Sequence, residues 1–207
     1  MKKIFDHTNI FWQAVSHVSD YFILSCCWLL CCLPVITIGS STIALYDTVA
    51  HCFRMGEGDM LKRFFRTFWR ELGRGILITV LWAIIGCLLF FSYQILYQMG
   101  ETSDTWAMVS LVYLFALLVP VSILCWVLTT ESRFVYSFGQ LHKVAIIYTF
   151  GYLPKTIAIV ALLIAAVIAV LYYPLVIIIV PAVLAHLQSH FIEKVFEKYM
   201  PKTAEEA

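Results

Sequence analysis

The chain has 207 residues, of which 62% are hydrophobic, 15% aromatic and only 13% charged. Soluble domains are about half apolar and a quarter charged, so both figures depart in the same direction and exclude a compact soluble fold, a nucleic-acid binder and a disordered chain. The 14 basic and 13 acidic residues nearly cancel, and net charge points to no partner.

Asp, Glu, Lys and Arg are absent from residues 21–46, 75–100, 105–130 and 156–192, which together make up more than half of the chain. Each block exceeds the roughly 20 apolar residues that cross a bilayer, which predicts an all-α, polytopic transmembrane helical bundle. Residues 1–20 read as an interfacial lead-in, with Asn9 as a helix cap and Ile10, Trp12 and Val15 set among polar residues. Asp6, His7 and Asn9 interrupt the start, and no small-x-small cleavage site follows the first apolar block, so that block is expected to be retained rather than removed as a signal peptide.

The first membrane block, residues 21–54, carries a breaker at its centre. Leu33-Pro34 is followed by the capping cluster Gly39-Ser40-Ser41-Thr42, so a straight helix is not expected. The block is either one kinked span or a hairpin, with a helix to about Leu33, a turn, and a second helix from about Ser40 to Arg54.

Residues 57–74 form the strongest local pattern. Leu61, Phe64, Phe65, Phe68, Trp69 and Leu72 recur at spacings of three and four, while Lys62, Arg63, Arg66 and Arg70 fill the other faces and Asp59 can cap the start. This predicts a basic amphipathic helix in the cytoplasmic interface, with its rings in the acyl boundary and its cations near anionic headgroups. The same residues also serve a plainer reading, a positive loop that orients its neighbours.

Residues 75–100 and 105–130 each read as one span, joined by a loop containing Glu101 and Asp104. As one helix the block 156–192 would be about 55 Å long, against a hydrocarbon thickness of about 30 Å. Tyr173-Pro174 and Val180-Pro181 interrupt it, so two antiparallel spans, 155–173 and 174–192, are expected before a tail at 193–207. The total is five or six spans.

Orientation follows from the loops. Six basic residues (Arg54, Lys62, Arg63, Arg66, Arg70, Arg74) stand against three acidic ones between positions 54 and 74, and Arg133, Lys143 and Lys155 mark the loop from 131 to 155. The positive-inside rule places both loops and the C-terminal tail in the cytoplasm, and a hairpin in the first block places Lys2 and Lys3 there as well.

Several clusters invite a chemical reading. Cys26, Cys27, Cys31 and Cys32 lack the CxxC spacing of zinc sites and are expected to pack as small hydrophobes. His186 and His190 lie one turn apart with Glu193 beyond them, and read as the polar stripe of a helix leaving the membrane, with metal binding as the alternative and Glu193 at best assisting His190. Asp20, Asp47, His51, Glu131 and Arg133 stand near block boundaries, where water is expected to reach them. Within the first block, Asp20, Pro34, Thr37, Gly39, Ser41, Thr42 and Tyr46 form a polar motif, and a helix start behind the Thr37–Thr42 turn offers either capping or an anion site. No Walker, HExxH, GxSxG or dinucleotide motif is present, so neither catalysis nor a cofactor is expected.

The run DYFILSCCWLLCCLPVITIGSSTIALYDTVAHCFRMGEGDMLKRFFRTFWREL resembles the signature half of the YesL family of bacterial integral membrane proteins. The match rests on Asp20, Leu33, Pro34, Thr37, Gly39, Ser41, Thr42, Ala44, Leu45, Tyr46, Phe64 and Phe65. Ser132-Arg133-Phe134 and Leu153-Pro154-Lys155-Thr156 resemble weaker family motifs. The resemblance implies a multi-pass protein of the bacterial cell membrane. Members are often encoded beside ABC-type sugar uptake systems, which implies an auxiliary role there and an ABC-type sugar permease as a partner. Two functions are therefore expected in order: an accessory or regulatory membrane protein, then a small transporter or channel acting as a homo-oligomer. A transporter needs polar groups deep in several spans, and 75–100 and 105–130 offer only residues such as Ser92, Gln94 and Ser110.

Overall fold

The computed structural model describes residues 10–54, 59–100 and 104–199, and all of its regular structure there is helical. Asn9 and the lysines of the lead-in lie outside the described residues. Helix α1 runs unbroken from Ile10 to Cys32, so the lead-in and the first half of the apolar block are one helix with no boundary at residue 20. Proline ends it as expected. Pro34 is extended, Val35–Thr37 makes one tight turn, and α2 follows over Ile38–Thr48.

The chain reverses direction at this turn. The Trp28 indole N–H donates to the Thr42 hydroxyl at 3.3 Å, and the Tyr21 ring stacks on Phe53 with centroids 4.6 Å apart. These pairs fit two antiparallel helices, so the first block is a helical hairpin rather than a kinked rod. Thr37 ties the turn, its hydroxyl lying 2.6 Å from the carbonyls of both Cys31 and Pro34.

Helix α2 passes into a π-helical stretch, Val49–Arg54. Helix α3 (Met60–Arg70) then packs antiparallel to α2, with Thr67 beside Asp47 and the Leu72 carbonyl beside Ser40. A single residue, Glu71, separates α3 from α4 (Leu72–Gly100). Where α2 crosses α4 the backbones nearly touch. A Cβ on Gly75 would fall 2.6 Å from the Ser40 nitrogen, and one on Gly39 would fall 2.6 Å from the Gly75 carbonyl. Close approach through small residues is the usual way for helices to gain contact where lipid provides no hydrophobic drive. The Gly39 N–H completes the crossing by donating to Thr79 Oγ1 at 2.9 Å.

Helices α5 (Asp104–Ala116) and α6 (Leu118–Arg133) form a nearly continuous rod interrupted at Leu117, three residues before Pro120. The segment after Arg133, read from sequence as a loop, is helical from Phe138 onward. Helix α7 (Phe138–Gly151) buries Leu141, Ala145 and Tyr148 against the core. The last block breaks where its prolines stand: α8 covers Leu153–Tyr172, a short tight helix covers Pro174–Ile178, and α9 covers Val180–Phe196.

Among the described residues three helices are long and apolar enough to cross a membrane: Leu72–Gly100, Met108–Arg133 and Leu153–Tyr172. No more than 17% of any of their most apolar windows is buried inside the protein. Apolar surface turned outward on that scale needs a hydrocarbon solvent, which identifies a membrane protein.

Candidate functional site

Charged side chains from five helices converge near the ends of α6 and α9. The best-formed pair is Arg133 with Glu193. Arg133 Nε donates to Glu193 Oε1 at 2.9 Å and Nη2 donates to Oε2 at 2.7 Å, with both side chains at most 5% exposed. This bidentate match of guanidinium to carboxylate is the strong form of an ion pair. Tyr46 adds a third donor, its hydroxyl reaching Glu193 Oε1 at 3.1 Å.

The remaining Arg133 nitrogen extends the chain. Nη1 lies 2.9 Å from His51 Nε2, while His51 Nδ1 lies 3.0 Å from the Asp47 carbonyl and 3.1 Å from Asp47 Oδ1. A guanidinium only donates, so Nε2 must accept, and Nδ1 then carries the proton toward Asp47. The π-helical stretch places His51 where it bridges the two, and such insertions recur at functional positions.

Asp47 links this chain to α3. Arg63 donates from Nε to Oδ2 at 3.0 Å and from Nη2 to Oδ1 at 3.3 Å, and the Thr67 hydroxyl donates to Oδ2 at 2.7 Å. The ladder therefore runs Arg63, Asp47, His51, Arg133, Glu193, Tyr46, with two cations and two anions in balance. Burial of charge is tolerated only with this degree of pairing, since loss of one partner strands the other in low dielectric.

A second pair stands nearby. Arg74 Nη1 lies 2.9 Å from Glu131 Oε1, and Arg74 Nη2 donates to the Tyr136 carbonyl. The Glu131 side chain is fully buried, yet neither of its oxygens receives an aligned hydrogen bond, so this contact is coulombic rather than directional.

The basic amphipathic segment divides into two faces. Arg63, Phe64 and Phe68 point inward, Phe64 and Phe68 into a core cluster with Leu24, Ala44, Leu45 and Val49. Leu61, Phe65 and Trp69 form an exposed apolar row, and Lys62, Arg66 and Arg70 form an exposed cationic row beside it. Asp59 occupies the cap position, with its side chain making no capping hydrogen bond.

In the polar motif of the first block, most residues serve packing. Pro34 and Thr37 make the turn, Gly39 permits the α2–α4 crossing, Thr42 accepts from Trp28, Tyr46 holds Glu193, and Ser41 is buried. Asp20 is half-buried on α1 and takes no part in the ladder.

Asp47, Glu131 and Arg133 depart from the sequence expectation of boundary charges in reach of water, because helices α2, α6 and α9 enclose them. Glu193 does not assist His190; it is committed to Arg133 and Tyr46. His186 instead packs edge-on against Tyr21, Phe53 and His190. The Cys26, Cys27, Cys31 and Cys32 thiols are free, and no group of three or more His, Cys, Asp or Glu is placed to hold a metal among the described residues. The ladder escaped the sequence reading because its members lie up to 147 positions apart. The available signal was a set of isolated acids and bases of matching number beside apolar blocks.

Residues 7–93 match the family model described as "Protein of unknown function, DUF624". The match takes in the hairpin, α3 and the Arg63, Asp47, His51 and Tyr46 half of the ladder, while Arg133 and Glu193 fall beyond it. No curated protein and no solved structure matches the chain.

Proposed function

We propose that this is an accessory or regulatory protein of the bacterial cell membrane, of the YesL type, which serves a transport system through the exposed face of α3. One observation carries the reading: the apolar row Leu61, Phe65 and Trp69 and the cationic row Lys62, Arg66 and Arg70 stand outward side by side, while Arg63 and Asp47 anchor the opposite face. A fixed amphipathic helix of this kind lies in the cytoplasmic interface, with rings in the acyl boundary and cations on anionic headgroups. From there it presents its free edge to a membrane partner, an ABC-type sugar permease being the expected one. Of the five or six spans expected, the hairpin in the first block favours six, which places both termini in the cytoplasm.

The pairing of the buried charges also favours an accessory role over transport. Arg63, Asp47, Arg133 and Glu193 are committed to one another by direct hydrogen bonds rather than presented to a passing substrate. Purification of native complexes followed by mass spectrometry tests the reading, and a recurring permease is the expected result. Flux of a sugar into liposomes that hold this protein alone would overturn it and restore the oligomeric-transporter alternative.

A further inference from the structure

A cavity of about 450 Å³ lies between the hairpin, α6, α8 and α9. It extends from Val121 to Thr129 on α6 and from Leu163 to Leu171 on α8, about 12 Å along each helix axis. Two of its walls therefore belong to helices able to cross a membrane, which puts it at hydrocarbon depth.

Its walls differ in exposure. Leu45, Tyr46 and Ala185 are buried and make the inner side, whereas Val167 and Leu171 are exposed on the surface of α8. The cavity therefore opens toward the lipid. Its walls are almost entirely apolar, and their few polar groups are already engaged. Thr42 donates to the Ile38 carbonyl, Thr129 to Cys125, Tyr46 to Glu193, the Gln188 amide to Ile159, and the Trp28 indole to Thr42. A polar occupant would find no free hydroxyl donor, and water does not fill an apolar space of this kind. The volume falls within the range of about 300–1,000 Å³ typical of ligand pockets.

We propose that this cavity binds one acyl chain of a bilayer lipid, which enters past Val167 and Leu171 and ends against Leu45, Tyr46 and Ala185. The chain replaces lipid–lipid contact with contact to a fitted wall, and its headgroup stays outside. This site is independent of the docking face on α3.

The full-length protein in nanodiscs containing a phospholipid with a diazirine near the end of one acyl chain provides the test. After irradiation, peptide mapping is expected to find adducts at Leu45, Tyr46 or Ala185 in addition to lipid-facing residues such as Leu77 and Leu88. Ala185→Phe, which fills the inner side, and Ala166→Phe, which narrows the α8 wall, are each expected to reduce the inner adducts at least tenfold and leave those on α4 unchanged. An unfolding midpoint in detergent close to wild type reports that a variant has folded, and either variant alone suffices. Adducts confined to the outer surface of the wild-type protein would overturn the proposal. So would inner adducts that persist in a folded variant, or inner labelling by a diazirine alkane without a headgroup but not by the phospholipid.

Discussion

Arg133 grips Glu193 at two points, Nε on Oε1 at 2.9 Å and Nη2 on Oε2 at 2.7 Å, across 60 positions of sequence. Neither side chain has water to fall back on. Glu193→Ala or Arg133→Ala is therefore expected to destabilise the protein by about 3–5 kcal/mol, the usual cost of stranding one buried charge. The double variant Arg133→Met/Glu193→Leu should cost less than the two single changes combined. Glu131→Gln should cost far less than Glu193→Gln, because Arg74 is 35% exposed and water can take the place of its lost partner. Thermal unfolding in detergent measures all of these, and equal losses for Glu131 and Glu193 would contradict the account.

Asp47 receives Arg63 and Thr67 from α3, so it governs whether that helix stays seated. Asp47→Asn keeps the shape and removes the charge. Amide exchange over residues 60–70 is expected to accelerate in this variant, with little change over 153–172. Uniform acceleration in both segments would mean that Asp47 supports the whole fold rather than α3.

Gly75 has no room for a side chain. A Cβ there would lie 2.6 Å from the Ser40 nitrogen, a backbone atom that no rotamer change can move. Gly75→Ala should cost about 1–3 kcal/mol or more, in the range of overpacked sites. Gly86→Ala is the control, since nothing lies within 4 Å of its added carbon. A stable Gly75→Ala protein would show that α2 and α4 can part without penalty.

Under the proposed function the outer face of α3 carries binding rather than stability. Replacement of Lys62, Arg66 and Arg70 by Gln should leave the unfolding midpoint close to wild type, because each is a surface position. Cosedimentation of residues 57–74 with anionic vesicles should weaken by about 1 kcal/mol for each cation removed. Unchanged vesicle binding would exclude the cationic row as a lipid contact.

The breaker in the first block, the Pro-broken last block and the helical period of α3 were legible because local chemistry determines them, while the choice between a kinked span and a hairpin was left open. Pro34 ends a helix whatever surrounds it, and the spacing of the α3 rings declares a helix; it did not show that Phe64 and Phe68, expected with the other rings in the acyl boundary, turn into the protein core instead. The α7 helix was not legible in this way: 138–151 is too short to span and lies between basic residues, so its apolar positions look like loop content until α6 and α8 pack against them. The candidate site was legible only in pieces. Arg63 appeared as one more cation of a basic helix, and Glu193 as a neighbour of His190. A coulombic partner is chosen by tertiary distance, which leaves no trace in residue spacing.

The ladder also has a direction in time. Asp47 and Arg63 are synthesised first, Arg133 follows after further apolar helices, and Glu193 comes after all of them. Until α9 is in place, Arg133 lacks the carboxylate that neutralises it and Tyr46 lacks its acceptor. A chain that stops short of Glu193 thus carries an unquenched guanidinium beside the bilayer, whereas a finished one does not. Helix α9 thus acts as a latch on assembly, closing the ladder only when Glu193 reaches Arg133 and Tyr46.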